Sequence, residues 1–170
     1  MSPYLCGIIN NHDMNNLSIS DIKNSSPAVF ATQPSSKMSN KYSFIPTFEI
    51  LEYFQREGWN VNDVKQLGKG IHSSHQIRLS NSELPKVGDS LVQAIIKNSH
   101  DGTKALTVGS GLYRLVCSNG LTVPTSVAQE FNLRHKNIDL GEIRRITDEF
   151  AKRLPLLTNS VNKFQSKDCQ

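Results

Sequence analysis

The side chains most able to do chemistry in this chain are its histidines, one interior cysteine and the acid beside one of the histidines. His72 and His75 form an H-x-x-H pair, His100 precedes Asp101, and Cys117 follows. A divalent-metal site could be drawn from these groups, with His100 and Asp101 serving a metal-dependent nuclease. H-x-x-H spacing places two ligands on one face only in a helix, and the residues around His75 predict loop passing into strand. Ordinary surface or core histidines are the simpler account, and no metal or other cofactor is expected. A nucleophilic Cys117 needs a partner that sequence cannot position. A buried cysteine acting as a small apolar residue explains it better. Gly109 and Gly111 lack the Lys-Ser/Thr that follows in a phosphate-binding loop. No catalytic residue is assigned, and an enzyme is the less favoured class.

A second constellation is basic. Arg78 and Lys97 fall on the polar faces of two predicted strands, and Lys104, Arg114, Arg134, His135 and Lys136 follow. Tyr113 stands among them, with His100 and Asn119 in adjoining turns. Basic groups along a sheet can track a phosphate backbone while an aromatic ring stacks a base. The net charge of +4 is uneven: residues 65–145 hold 11 basic and 6 acidic side chains, whereas residues 1–64 hold 4 and 6. On charge alone a solvated basic face is the commoner explanation. Arg114, between Leu112, Tyr113, Leu115 and Val116, reads equally well as a structural arginine that satisfies carbonyls inside the fold.

The elements that must position these groups follow from pattern. Residues 10–41 are rich in Asn and Ser, with Pro27 and Pro34, and predict a flexible N-terminal arm over 1–41 with a short docking run at Pro27–Phe30. A helix is predicted with Thr47 as N-cap, Phe48, Leu51 and Phe54 near one face, and Gly58 as its stop. Trp59 and Val61 open a strand. His75, Ile77 and Leu79 alternate with Gln76, Arg78 and Ser80, and Leu91–Lys97 forms the next strand. Residues 98–103 are turn chemistry. Lys104–Val123 reads as strands around an Asn119-Gly120 turn, with a helix as the alternative. Asp139 and Glu142 start a last helix whose apolar stripe is Leu140, Ile143, Thr147, Phe150 and Leu154, bent or ended at Pro155. The fold class is α+β: an antiparallel sheet with an N-terminal helix and a long C-terminal helix, one domain over 42–164, and a tail over 165–170.

No run approaches the roughly 18 apolar residues of a membrane helix, and no secretory signal is visible. Cys6, Cys117 and Cys169 do not read as a disulfide framework. A cytoplasmic protein without membrane association is expected, and an oligomer is compatible with the sequence.

Three strings carry a resemblance: Asn98-Ser-His-Asp-Gly-Thr103, Gly111-Leu-Tyr-Arg-Leu-Val-Cys-Ser-Asn-Gly-Leu121 and Arg134-His-Lys136. Together they resemble the phage- and plasmid-associated domain-of-unknown-function family 932. Pro27–Phe30, Tyr42–Pro46 and His75–Arg78 stand in the order expected of that family, so that the resemblance spans about residues 25–165. Family members are usually longer at the C-terminus, which makes a truncated or minimal member the expectation. The resemblance implies an accessory of a mobile element, and brings no catalytic residues with it. The order of strands and helix is similar in outline to single-strand annealing recombinases, which is an analogy of fold alone.

Three functions follow as expectations. The leading one is single-stranded DNA binding, in the service of annealing or recombination, through the basic set above. The second is a protein-binding inhibitor of a host defence system, with a host protein as partner. The third is the metal-dependent nuclease.

Overall fold

The computed structural model describes residues 16–84, 90–115 and 122–165. Five antiparallel strands form one meander in chain order: β1 (Asn60–Leu67), β2 (Ser74–Ser80), β3 (Ser90–Asn98), β4 (Leu106–Leu115) and β5 (Thr122–Leu133). Among the described residues three α-helices accompany them: α1 (Ile19–Ser25), α2 (Thr47–Arg56) and α3 (Leu140–Gln165). The chain is therefore α+β with an antiparallel sheet, as its pattern predicts. The strand reading of residues 104–123 holds for β4 and the start of β5. The Asn119-Gly120 turn lies outside the described residues, as does Cys117.

Alternation sorts each strand into two faces. Ile77, Leu79, Ala94, Ile96 and Val108 are fully buried and form the floor of the core. Phe54 of α2 and Phe150 of α3 cover that floor, meeting edge to face at 6.2 Å, and Phe131 of β5 meets Phe150 at 5.5 Å. Of the predicted stripe on α3, Ile143, Thr147 and Phe150 are buried. Leu140 is not: it is 39% exposed, at the rim of a small cleft shared with Ile45, Pro46 and Tyr53.

Two readings of the sequence change. Thr47 is the first residue of α2 and Pro46 is its N-cap, because the Thr47 hydroxyl is turned inward to a histidine instead of back to the helix amides. The stretch expected to be a flexible arm packs against the core from Leu17 to Ala31. Ser18 and Asp21 form a capping box that starts α1, and Ile22 is fully buried. A 3-10 turn over Pro27–Phe30 buries Ala28 and Val29. The Gln66 side chain accepts from the Ser26 hydroxyl at 3.1 Å and from the Ala28 amide at 3.0 Å, tying the segment to β1. Composition misses this because a few well-spaced apolar residues suffice once a sheet supplies the opposing surface.

The register fixes which turns are neighbours. His75, at the start of β2, pairs with Asn98 at the end of β3, and Leu106, at the start of β4, pairs with Leu133 at the end of β5. The β1–β2 turn, the β3–β4 turn and the end of β5 therefore share one end of the sheet. The His100 amide donates to the His72 carbonyl at 2.9 Å and locks the first two turns together.

Candidate functional site

Beneath that end of the sheet lies a buried polar network built on Thr47, His75, Asn98, His100 and His135. Asn98 Nδ2 donates to the Ile45 carbonyl at 3.1 Å and to Thr47 Oγ1 at 2.9 Å, and Asn98 Oδ1 accepts from the Ser99 amide at 2.9 Å. These partners fix the orientation of the amide. His75 Nδ1 faces the Ser73 carbonyl at 2.9 Å and must donate to it, leaving Nε2 to accept from the Thr47 hydroxyl at 2.8 Å. His100 Nε2 faces the Ala28 carbonyl at 3.1 Å and lies 3.4 Å from Thr47 Oγ1. His100 Nδ1 is buried and has no hydrogen-bond partner among the described residues.

Both rings are neutral. Burial pushes His75 below the ordinary histidine value, with the Ser73 carbonyl and the Asp101 charge opposing. Burial, reinforced by His75 and His135, pushes His100 down to about 3. A hydroxyl 2.8 Å from an oriented imidazole has the connectivity of an activated nucleophile. Here Thr47 is fully buried and its oxygen already accepts from Asn98, so the pair holds the fold instead.

His135 is placed differently. Its Nδ1 meets the Ser43 carbonyl at 3.0 Å and its Nε2 meets Asn98 Oδ1 at 2.8 Å, so both ring nitrogens face acceptors. Only an imidazolium donates to both. Burial works the other way and holds the ring below its ordinary value, with the carbonyls of Ser43 and Lys104 opposing. Tyr42 stacks on the ring at 4.7 Å and gives its hydroxyl to the Ser99 carbonyl at 3.1 Å. Burial, helped by the charge of Asp101, pushes that phenol up to about 12.

Around this network stands a rim of cations. Lys97, Lys104, Arg134 and Lys136 are exposed at this end of the sheet. Lys37, Lys41, Lys65 and Lys69 join them, and the basic set drawn from sequence omits all four. The Ser35 amide donates to the His100 carbonyl at 2.8 Å and Tyr42 bridges to Lys136, which brings residues 35–42 to the β3–β4 turn. One ladder row on the outer face runs Lys65, Gln76, Lys97, Thr107, Asn132. With strands about 4.8 Å apart, Lys65 and Lys97 stand about 10 Å apart at their backbones. Among the described residues no ion pair holds Lys37, Lys41, Lys69, Lys97, Lys104, Arg134 or Lys136. Lys65 lies 3.8 Å from Asp63, and the Asp101 carboxylate accepts from the Thr103 hydroxyl at 2.6 Å.

The basic set predicted from sequence thus divides. Lys97, Lys104, Arg134, His135 and Lys136 converge at one end, while His100 lies beneath them, fully buried and out of reach of a ligand. Arg78 shares the outer face with Lys97 but is largely covered and 3.7 Å from Asp63. Tyr113 and Arg114 sit toward the other end of β4, opposite Pro124 and Val123. Seven residues of strand separate Tyr113 from Leu106, roughly 23 Å. Asn119 lies outside the described residues. Of the metal candidates, His75 and His100 come together with ring centres 5.1 Å apart. Among the described residues no three His, Cys, Asp or Glu side chains are placed to share an ion. Nor, among them, is any helix long and apolar enough to cross a membrane.

Comparison with known proteins places the chain. UPF0380 protein YafZ of Escherichia coli (strain K12) is 35% identical over 122 residues, which are 69% of this chain and 44% of that protein. UPF0380 protein YfjQ of the same organism is 33% identical over 122 residues, with the same shares. The chain spans less than half the length of these relatives. No solved structure matches it. The model of a family described as Domain of unknown function (DUF932) matches residues 34–170, a range that takes in the whole sheet, α2, α3 and all of Thr47, His75, Asn98, His100 and His135, and the chain belongs to that family.

Proposed function

We propose that this chain binds single-stranded DNA across the basic end of its sheet. The observation that carries the reading is the convergence of Lys97, Lys104, Arg134 and Lys136, exposed and without acidic partners among the described residues, on a frame fixed by the buried network. Exposed cations gathered at one end of a sheet suit a polyanion, because each phosphate they neutralise releases a condensed counterion. Toward this end the outer face is exposed at Lys65, Lys97 and Asn132, which suits an extended single strand. The wider role, strand annealing or recombination for a phage or plasmid within the cytoplasm, rests on the resemblance of sequence alone.

The test is a titration with a fluorescent single strand at several salt concentrations. The wild-type protein should bind, with affinity falling steeply as salt rises. Replacing Lys97, Lys104, Arg134 and Lys136 by Ala should lower the slope of log affinity against log salt by about 3 units, at roughly 0.7 per lost contact. Arg78→Ala, at an ion-paired position, should change it little. No measurable binding at low salt would reject this reading and move the same face to an acidic protein partner. Tighter binding to duplex than to single strand would reject the choice of strand form.

A further inference from the structure

The β1–β2 turn carries two large apolar side chains in water. Leu67 is 74% exposed and Ile71 is 53% exposed. The backbone of this turn is closed by its own hydrogen bonds. Gln66 Nε2 donates to the carbonyls of Gly68 and Gly70 at 2.9 and 3.1 Å. The Gly70 amide donates to Ser73 Oγ at 3.1 Å, and the Ser73 amide donates to the Gly70 carbonyl at 3.1 Å. Gly68 has φ of 103°, and a Cβ there would stand 2.8 Å from Ser73 Oγ, so glycine is required for the closure. The turn is also held to the β3–β4 turn through the His100 amide and the His72 carbonyl. Leu67 and Ile71 are thus fixed in the open, with Lys69 between them in sequence and Lys65 on the same face of β1 as Leu67.

We infer that this turn is the base-contacting part of the proposed single-strand site. Leu67 and Ile71 lie against the unstacked bases, while Lys65 and Lys69 hold the phosphates that flank them. The inference rests on the single-strand reading of the basic end. Charge complementarity selects this occupant: an apolar tip bracketed by lysines, at the end of the sheet where exposed cations gather, matches a ligand that is apolar on its base faces and anionic along its backbone. Aliphatic side chains serve such contacts in nucleic-acid complexes by lying against or between bases.

An oligonucleotide of deoxythymidine and an abasic strand of equal length and charge separate base contact from charge. Wild-type protein should prefer the thymidine strand by about tenfold, the low end of a base contact. Leu67→Ser with Ile71→Ser should abolish the preference and leave the salt slope unchanged. Both positions are exposed, so thermal unfolding of that variant should match the wild type. Lys65→Ala with Lys69→Ala should lower the slope by roughly 1.4 and keep the preference. Equal wild-type affinity for the two strands overturns the base contact and leaves the single-strand reading standing. A preference that survives in the serine variant also overturns it, as would follow if a protein, a second copy or a lipid surface were the true occupant of the tip. Absence of binding to either strand overturns both.

Discussion

Acidification should weaken this fold through its buried imidazoles. In an unfolded chain a histidine titrates near 6.5, whereas burial holds His100 at about 3. Above about pH 6.5 the ring is neutral in both states and stability does not depend on it. Below that value the unfolded chain binds a proton that the folded chain refuses. Stability therefore falls as pH falls, by about 1.4 kcal/mol per pH unit, until the folded ring itself titrates near 3. Between about pH 7.5 and 5.0 His100 alone accounts for about 2 kcal/mol. His75, also depressed by burial, adds in the same direction. Ordinary carboxylates titrate below this window and leave it clear. Urea unfolding at four pH values across the window measures the slope. His100→Gln retains an N–H able to reach the Ala28 carbonyl and cannot titrate, so it should remove the His100 share and flatten the profile. A wild-type stability that is the same at pH 7.5 and 5.0, or a glutamine variant with an unchanged slope, would refute the argument that these rings are neutral in the fold.

Three further outcomes are expected. Phe150→Ala should cost about 3–5 kcal/mol in urea unfolding, since the ring is buried between Phe54 and Phe131; a loss under about 1 kcal/mol would mean that α3 does not pack there. Thr47→Val keeps the shape but strips the hydroxyl between Asn98 and His75, and should cost about 1–3 kcal/mol; a neutral result would show that the hydroxyl is dispensable to the network. Hydrogen exchange should reveal protection at the amides of Ile22, Ser26 and Val29, each bonded to a carbonyl four or three residues earlier; exchange at the free-peptide rate would restore the flexible arm that composition predicts.

Pattern makes much of the frame legible. Period-two alternation locates β2 and β3 almost to the residue, and the apolar spacing around Leu51 and Phe54 locates α2. On α3 the inward-facing Ile143, Thr147 and Phe150 are legible for the same reason; Leu140 is not inward, and the Leu154 side chain lies outside what the structure describes. What pattern cannot supply is partnership across distance. Thr47 looks like an N-cap because capping is local, yet its hydroxyl is engaged by Asn98, 51 residues away. His100 and Asn98 read as turn residues, and their burial follows only from residues 27–31 and 45–47 closing over them. The basic set suffers the opposite error. Sequence strings Arg78, Lys97, Tyr113 and Arg114 along one groove, but the meander sends β4 away from the turn that carries Lys104. The same register brings Lys65 and the turn that carries Lys69 to this end, and the Ser35–His100 bond and the Tyr42–Lys136 bridge bring Lys37 and Lys41, which sequence proximity gives no reason to group.

The strings that carry the family resemblance take on separate work in three dimensions. Asn98–Thr103 and Arg134–Lys136 meet through the contact of His135 with Asn98, directly under the cationic rim. Gly111–Leu115, the described part of the remaining string, lies on the half of β4 that runs away from this end of the sheet. Around the two strings that meet, the labour divides again by burial. Asn98, Ser99 and His100 face inward and fix the turn, whereas Arg134, Lys136 and Lys104, which follows the first string, face water and carry charge. A frame held by buried hydrogen bonds is what lets like charges stand close together, because the repulsion among the lysines falls on exposed, solvent-screened side chains and not on the bonds that hold the turns. His135 is the member common to both layers: its ring belongs to the buried network, and its chain neighbours on either side, Arg134 and Lys136, are part of the rim. A ring whose two nitrogens both face acceptors ties the end of β5 to Ser43 and to Asn98 at once, and so sets where those two cations stand relative to Lys104.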